Sequence, residues 1–320
     1  MQRTIEIFTT LEERSATFGK DETSARIIAD AVAENGWFTP KDILQAVDAI
    51  RSEMLDREHL TAWLSAYSPA SSPKRVAVIM AGNIPLVGLF DLLCVIAAGH
   101  TCCVKPSSKD RVLMHYVIGL LREIEPAIRI EEYVATDHYD MAIATGGDDA
   151  NAYFRKHFAT TRTLLRGSRH SIAILDGTES REELRGLYTD ITSYSGLGCR
   201  SVSMLFVPRG YTLKFESQAA HNPKLRRNVQ AMRATLTIEG VEYHDCGAFL
   251  MCKGEKFSNS LAVVTLREYD DIEEVIAWIK SNAEGIQCVV SHHDIAFGRA
   301  QYPALTDYAD GVDTMRFLLG

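Results

Sequence analysis

The feature that most constrains this chain is a change of hydrophobic period near residue 75. From there to residue 158, short apolar runs typical of strands alternate with amphipathic segments typical of helices. Uninterrupted apolar strands between helices predict a parallel sheet covered on both faces. The handedness of strand–helix–strand connections then predicts a doubly wound α/β fold. The predicted strands are 75–80, 101–105 and 141–145, and the predicted helices are about 86–98, 109–123 and 148–158.

A second alternating series follows and predicts a smaller α/β domain. Its predicted strands are 171–176, 203–208, 261–266 and 286–291, and its predicted helices are 181–194, 223–233 and 271–280. Residues before 70 show apolar spacing of three and four, which predicts helices. We therefore divide the chain into an N-terminal helical region, two α/β domains and a C-terminal tail without a clear pattern. Their boundaries are 1–70, 71–167, 168–300 and 301–320.

Composition excludes several classes of partner and site. The formal net charge of −8 argues against nucleic acid or an anionic membrane as the main partner. Seven cysteines without a CxxC pair suit reduced thiols in the cytoplasm, not a disulfide framework or a zinc site. The N-terminus shows no signal peptide, and the longest apolar stretch, 84–98, is too short to span a bilayer. Neighbouring His292 and His293 would point to opposite faces of a strand, so we predict no metal site.

One cysteine lies in a glycine-rich turn between a predicted helix and a predicted strand. The turn is residues 195–201, SGLGCRS, and the cysteine is Cys199. Small residues leave room for a substrate beside a thiol, and a thiolate can attack an acyl carbon and later depart. The alternative is a buried thiol that fills space, which is the commoner role of a cysteine. Taken alone, Cys199 favours that alternative.

Four short segments, in order, carry a resemblance to a known group of enzymes. They are MAGNIPL at 80–86, AAGHTCCVKPSS at 97–108, ATGGD at 144–148 and the turn that carries Cys199. With them the chain resembles the aldehyde dehydrogenase superfamily, and within it the acyl-CoA reductase family, which includes the fatty-acid reductase subunit of bacterial bioluminescence. The resemblance spans about residues 75–295. It implies an aldehyde dehydrogenase-like fold, with 71–167 as the nicotinamide cofactor-binding domain and 168–300 as the catalytic domain.

The resemblance assigns the catalytic residues. Cys199 would be the nucleophile, and the amide N–H of Asn83 would stabilise the oxyanion together with the backbone N–H of Cys199. Asn83 lies where a predicted strand gives way to a predicted helix. The alternative is therefore that Asn83 caps that helix or shapes the turn.

The resemblance also places a cofactor. Lys105, at the carboxyl end of a parallel strand, suits a nucleotide crevice, although it could be an ordinary solvated lysine. Ser107 and Ser108 follow it, and relatives that use NAD often carry an acid at the position of Ser108. An acid would repel a 2′-phosphate, so serine there, with Lys109 and Arg111 close in sequence, favours NADPH over NADH.

Two further cofactor contacts are predicted. Gly146 and Gly147, between a strand and a helix, would place backbone N–H groups near the cofactor phosphates, or would simply form a tight turn. A weaker fifth segment, GEKF at 254–257, puts Glu255 where the superfamily has a carboxylate that binds a cofactor ribose.

One departure from the resemblance narrows the reaction. Hydrolytic aldehyde dehydrogenases carry a glutamate that activates water, and Leu165 stands at the corresponding position. Leucine cannot act as a base, so its presence fits exchange of the acyl group with a thiol, and would equally fit a phosphate-activated substrate. We predict NADPH-dependent reduction of an acyl-CoA or related acyl thioester to an aldehyde through a cysteine acyl-enzyme.

The alternatives left open are a cysteine-dependent acyltransferase or thioesterase without redox chemistry, and a non-catalytic subunit that keeps the fold. The expected partners are the acyl thioester, a second copy of the chain in a homo-oligomer, and an acyl-transferring enzyme. The thioester donor is left open among CoA, a carrier protein and an enzyme-bound acyl group.

Overall fold

The computed structural model describes residues 1–320, which form two compact units. Unit 1 comprises residues 1–168 and 302–320, and unit 2 comprises residues 169–301. Both units are layered α/β structures, as the hydrophobic period predicts. No helix combines the length and the apolar composition needed to cross a membrane.

The sheet of unit 1 has five parallel strands in the order β3-β2-β1-β4-β5. The strands are β1 (Arg75–Ile79), β2 (Thr101–Lys105), β3 (Ile130–Glu132), β4 (Met141–Thr145) and β5 (Arg162–Arg166). The three central strands are almost wholly buried, and their apolar runs predicted them. The two edge strands carry exposed charged residues, which is why they lack the apolar run that marks a buried strand.

Along the chain, seven helices of unit 1 come before strand β5. They are α1 (Gln2–Ser15), α2 (Glu22–Glu34), α3 (Pro40–Ala49, continued by a π-helical turn, Ile50–Met54), α4 (Arg57–Leu64), α5 (Leu89–Ala97), α6 (Arg111–Ile124) and α7 (Asp148–His157). Thr39 caps α3, where its hydroxyl accepts the N–H of Asp42, and Pro40 occupies the first turn. Helix α5 begins three residues later than predicted, because Leu86 adopts a left-handed conformation with φ 58°.

The N-terminal helices and the sheet share one hydrophobic core. Phe8 of α1 and Leu60 of α4 are fully buried in the same cluster as Val76 and Val78 of β1 and Leu92 of α5. Burial of a large aliphatic or aromatic side chain stabilises a fold by about 1.5–3 kcal/mol. Helices from the first 70 residues therefore pack against the sheet of unit 1 and help to cover it.

Unit 2 has a six-stranded sheet in the order β11-β6-β7-β10-β9-β8, parallel except at β8. Its strands are β6 (His170–Ile174), β7 (Val202–Pro208), β8 (His244–Asp245), β9 (Leu250–Lys253), β10 (Val263–Tyr269) and β11 (Ile286–Val290). Its helices are α8 (Arg181–Thr192), α9 (Pro223–Glu239) and α10 (Ile272–Ser281). The strands missed by the sequence, β8 and β9, are too short to show a hydrophobic period.

After residue 301 the chain returns to unit 1 and ends in helix α11 (Thr314–Leu319). Met315 and Leu318 of α11 are buried in the core that the N-terminal helices share with the sheet. Tyr308 accepts a hydrogen bond from Trp63 Nε1 (2.9 Å) and lies 2.6 Å, hydroxyl to hydroxyl, from Tyr67. The tail without a sequence pattern is thus an integral part of unit 1.

Candidate active site

In unit 1 the candidate residues gather at the carboxyl edge of the sheet. Strands β2, β1 and β4 are neighbours, and adjacent strands lie about 4.8 Å apart. The connections that follow these three strands therefore meet at one edge, which is where open parallel sheets bind ligands. They carry Asn83 after β1, Lys105, Ser107 and Ser108 at the end of β2 and beyond it, and Gly146 and Gly147 after β4.

Asn83 is half-buried in the long connection between β1 and α5. The residue at the N-cap of α5 is Gly88, five positions further on, so Asn83 does not cap that helix. The helix-cap alternative is therefore wrong. Left-handed backbone at a non-glycine residue such as Leu86 costs about 1–3 kcal/mol, and strained residues of this kind cluster at functional sites.

Three polar side chains on and after the end of β2 face solvent. Lys105, Ser108 and Lys109 are exposed, and Lys105 Nζ lies 5.8 Å from the ring centre of Tyr133. Arg111 forms a 2.6 Å ion pair with Glu34 of α2. That pairing offsets the charge of Arg111, so the cationic character beside Ser108 comes mainly from the two lysines.

The two glycines after β4 differ in their surroundings. A Cβ on Gly146 would lie 2.7 Å from Cβ of Ala150, whereas a Cβ on Gly147 would meet nothing within 4 Å. Gly146 is therefore needed for the tight turn, and Gly147 leaves its backbone open. Helix α7 begins with Asp148 and Asp149, two acidic residues in its first turn, near the positive end of the helix dipole. Those charges disfavour a phosphate at this turn, so the turn suits an uncharged part of a ligand better.

The structure adds a buried acid that sequence reasoning missed. Asp110 is 2% exposed, and its Oδ2 accepts the N–H of left-handed Leu86 at 2.8 Å. Its other oxygen has no hydrogen-bond partner within the protein. Burial raises the pKa of Asp110 to about 8, and the nearby charge of Glu34 adds to the rise. An acid directly before a helix is the one sequence signal that marked it, although its side chain makes no cap.

This pKa predicts a pH-dependent stability. Since the native state holds the Asp110 proton more tightly than the unfolded chain, its stabilising contribution is complete below the unfolded pKa of 3.8 and is lost as pH rises through about 8. The amide introduced by Asp110→Asn would not titrate. We therefore expect the free energy of unfolding of Asp110→Asn, relative to the unchanged protein, to improve by about 4 kcal/mol between about pH 5 and about pH 9. Urea unfolding at both values measures this, and parallel pH profiles for the two proteins would contradict it.

In unit 2, Cys199 differs from every other cysteine of the chain. It is half-buried, and the remaining six are buried. Burial raises the thiol pKa of five of those six, to about 12 in Cys246. The thiolate is the reactive form, so the buried thiols are chemically inert. The five are Cys94, Cys102, Cys103, Cys246 and Cys252.

The backbone before Cys199 is strained. Tyr194, Ser195 and Gly196 are consecutive left-handed residues with φ of 53°, 58° and 74°. Two of them carry side chains, at a cost of about 1–3 kcal/mol each. This reversal ends α8 at Thr192, two residues earlier than the sequence predicts. Such a conformation persists only where neighbouring groups hold it in place.

Several hydrogen bonds hold the residues around Cys199. Ser171 Oγ donates to the carbonyl of Cys199 at 2.8 Å, and Arg200 Nε donates to the carbonyl of Ala300. The buried carboxyl of Asp190 on α8 accepts the N–H groups of Gly298 (2.6 Å) and Ala300 (3.0 Å). Burial raises the pKa of Asp190 to about 6. No local sequence signal marks these contacts, because each joins segments that are 28 or more residues apart.

A cavity of about 260 Å³ lies beside this turn, within unit 2. Residues on both sides of Cys199 line it, among them Ser195 and Ser201, and apolar residues such as Phe249 form other walls. His170 also lines it, stacked on Phe257 with ring centres 4.2 Å apart and its Nδ1 3.2 Å from Ser203 Oγ. Burial lowers the pKa of His170, which therefore stays neutral near pH 7. The volume is near the lower end of ligand pockets, about 300–1,000 Å³.

Two other predictions fall on the surface of unit 2. Glu255 lies on the connection between β9 and β10, where its Oε2 is 3.0 Å from Arg267 Nε and its side chain is 74% exposed. His292, the first of the two neighbouring histidines, lies 2.9 Å from Asp176 and 2.9 Å from Glu183. The two carboxylates raise the pKa of His292 and tie the start of α8 to the segment after β11.

Comparison with known sequences gives a consistent group of relatives. A family model described as acyl-CoA reductase (LuxC) matches residues 18–232, more than half of the chain. A long-chain acyl-protein thioester reductase of Photorhabdus laumondii subsp. laumondii is 21% identical over 277 residues, covering 73% of this chain and 58% of that protein. Long-chain acyl-protein thioester reductase 2 of Photobacterium leiognathi is 23% identical over 180 residues, covering 50% of this chain and 38% of that protein. The chain thus spans less than two-thirds of these relatives.

Solved structures with the same fold are aldehyde dehydrogenases. The NAD⁺ complex of an aldehyde dehydrogenase from Bacillus cereus superposes with a TM-score of 0.61 at 16% identity, covering 90% of this chain and 71% of that one. Betaine aldehyde dehydrogenase from Staphylococcus aureus, also with NAD⁺, gives 0.62 at 14% identity, covering 90% and 70%. The aldehyde dehydrogenase-like fold predicted from the motifs is confirmed.

Proposed function

Because the chain belongs to the acyl-CoA reductase (LuxC) family, we propose that it reduces an acyl thioester to an aldehyde through an acyl-enzyme on Cys199. The observation that carries this proposal is the difference in burial among the seven cysteine thiols. Cys199 is half-buried whereas the other six cysteines are buried, and it follows two strained non-glycine residues. Accessibility and stored backbone strain together are typical of a catalytic nucleophile.

In the proposed reaction the Cys199 thiolate attacks the carbonyl carbon of the thioester. The backbone N–H of Cys199 donates to the oxyanion, the donor thiolate leaves, and the acyl group stays on sulfur. The family resemblance gives the amide of Asn83 the role of a further oxyanion donor. Reduction of this acyl group would take its hydride from a bound reduced nicotinamide. The oxyanion formed by hydride addition collapses, the C–S bond to Cys199 breaks, the aldehyde leaves, and the Cys199 thiolate is regenerated.

We propose that the cofactor lies along the carboxyl edge of the unit 1 sheet. Lys105, Ser107 and Ser108 would bind its adenosine ribose, and the open backbone at Gly147, beside Gly146, would face its uncharged part. Glu255 would bind the second ribose. Two aldehyde dehydrogenases of the same fold are described as NAD⁺ complexes, which supports a nicotinamide cofactor. The exposed Lys105 and Lys109 support NADP(H) as the form used.

The same proposal extends to the acyl donor, the oligomeric state and the compartment. Relatives are described as acyl-protein thioester reductases, so an acyl group on a partner enzyme is a candidate donor beside acyl-CoA. The family resemblance also suggests a homo-oligomer. None of the seven cysteines forms a disulfide, which supports a reducing compartment such as the cytoplasm.

A direct assay tests the proposal. Purified protein is mixed with NADPH and a series of acyl-CoA and acyl-protein thioesters, while nicotinamide absorbance and aldehyde are measured together. We expect one aldehyde per NADPH consumed. Release of donor thiol without NADPH consumption, turnover after turnover, would instead show a thioesterase or an acyltransferase.

Cofactor choice can be tested at Ser108. Its exposed side chain follows Lys105 on the connection after β2, and it can be changed without loss of packing. We expect Ser108→Glu to weaken NADPH binding about tenfold or more through charge repulsion with the 2′-phosphate, with little effect on NADH. Fluorescence titration of both cofactors measures the change, and Ser108→Gln is the matched neutral control. Tighter binding of NADH than NADPH by the unchanged protein would refute the NADPH assignment and leave the role of Cys199 untouched.

A further inference from the structure

Two connections of unit 1 that carry proposed site residues are in direct contact. We call residues 82–86 the Asn83 turn and residues 107–110 the serine turn. A Cβ on Gly82 would lie 2.6 Å from Cβ and from Oγ of Ser107 and 3.1 Å from Cβ of Asp110. Even a methyl group on Gly82 would therefore force the two turns apart.

The carboxyl group of Asp110, in the serine turn, binds the Asn83 turn. Asp110 is buried, and its Oδ2 accepts the N–H of Leu86 at 2.8 Å. Leu86 is the left-handed residue of the Asn83 turn, so this hydrogen bond falls on its strained backbone. Without the acceptor, a buried N–H would be left unpaired beside a conformation that is already unfavourable.

The side-chain amide of Asn35, in the N-terminal helical region, contacts both turns. Asn35 follows α2 and is 6% exposed. Its Nδ2 donates to the carbonyl of Lys109 at 3.1 Å and lies 3.5 Å from the carbonyl of Gly82. Its Oδ1 accepts the N–H of Trp37, which fixes the orientation of the amide. One side chain from outside the sheet thus contacts both turns.

We propose that Asn35 and Asp110 are positioning residues that lock the Asn83 turn to the serine turn, so that the oxyanion donor and the cofactor-binding serines move as one body. The proposal rests on the proposed function for the roles of Asn83 and the serines. It gives the N-terminal helical region a part in catalysis. A cofactor that orders the serine turn would, through this lock, also order the residue that polarises the thioester.

The test compares Asp110→Ala with Asp110→Asn. Asparagine keeps an acceptor oxygen for the Leu86 N–H, and alanine removes it. For Asp110→Ala we expect the rate of Cys199 acylation, followed as thiol release without reductant, to fall about 10- to 100-fold, with half-saturation by thioester nearly unchanged. Asp110→Asn should acylate within about threefold of the unchanged protein. Equal acylation by the alanine variant and the unchanged protein, or equal impairment of both variants, would overturn the proposal.

Asn35→Ala extends the test to the other contact, with a control at the opposite end of the same helix. Asp21 caps α2, where its carboxylate accepts the N–H of Ser24 at 2.8 Å, and it lies outside the two turns. We expect Asp21→Ala to lower the melting temperature without changing the acylation rate, whereas Asn35→Ala should lower both. If the acylation rate and the melting temperature fall together in both variants, the role of Asn35 is only structural.

Hydrogen exchange separates this inference from the proposed function. In the unchanged protein, NADPH should slow amide exchange in peptides covering both turns; in Asn35→Ala the Asn83 turn should lose this protection while the serine turn keeps it. If the unchanged protein neither acylates nor reduces any thioester, the proposed function fails. The lock is then judged by whether Asn35→Ala speeds exchange in both turns, and unchanged exchange in the Asn83 turn would overturn it.

Discussion

Cys199→Ala is expected to abolish aldehyde formation, with a loss of about 10⁴-fold or more. The sulfur forms the covalent bond on which every later step depends, so its removal leaves only the binding and polarising groups. Cofactor affinity should change little, because the thiol lies in unit 2 and the proposed adenosine contacts lie in unit 1. NADPH consumption and aldehyde release measure the first effect, and a cofactor titration measures the second.

Cys246→Ala is the matched control for this variant. Cys246 lies in the same unit, is fully buried, and keeps its proton because burial raises its thiol pKa to about 12. Its loss should cost stability through packing alone, and activity at a permissive temperature should remain. Mass spectrometry after incubation with acyl thioester and no reductant should find the acyl group on Cys199. An acyl group on a different cysteine would disprove the assignment.

The second large effect is the persistence of the acyl-enzyme when reductant is withheld. A positioned general base contributes about 10²–10⁴-fold to attack by water. By the family resemblance, Leu165 corresponds to the glutamate of hydrolytic aldehyde dehydrogenases. Its side chain packs against a cluster that includes Ala144 and Phe158. We therefore expect hydrolysis of the acyl-enzyme to be at least about 100-fold slower than in an enzyme that carries this base, so that the acyl-enzyme persists until reductant is added.

The measurement is a burst experiment. An acyl thioester without NADPH should release one equivalent of thiol per active site and then stall, and later addition of NADPH should release aldehyde. In reverse, aldehyde with NADP⁺ should give product only when an acceptor thiol is present. Steady formation of free acid without thiol would place another residue in the role of the base, and would put this chain with the hydrolytic enzymes.

The central strands of both sheets could be predicted because burial on both faces leaves a continuous apolar run, as in β1 and β4. Edge strands such as β3 and β5 could not, since solvent allows charged residues there. The left-handed backbone at Leu86 and at Tyr194 also escaped prediction. These residues have no local preference for that conformation, and only contacts with distant segments stabilise it.

In the candidate site, too, local sequence predicts some residues, whereas others depend on contacts between distant segments. Asn83, Lys105 and Cys199 stand in short motifs, so their positions on strand-to-helix or helix-to-strand connections follow from local sequence. Asp110 and Asn35 have no motif of their own. Their roles depend on contacts that join residues 24 and 47 or more positions apart, and only the folded chain shows these.

Unit 2 is inserted into unit 1 along the chain, which has a consequence for synthesis. Residues 169–301 are contiguous and can begin to fold as soon as they leave the ribosome. Unit 1 has to wait, because Met315 and Leu318 belong to the same core as Phe8. Its apolar surface stays incomplete while more than 130 intervening residues are made. Chaperones and proteases would therefore meet the uncovered apolar surface of unit 1 during this interval, and faster translation of residues 169–301 would shorten it.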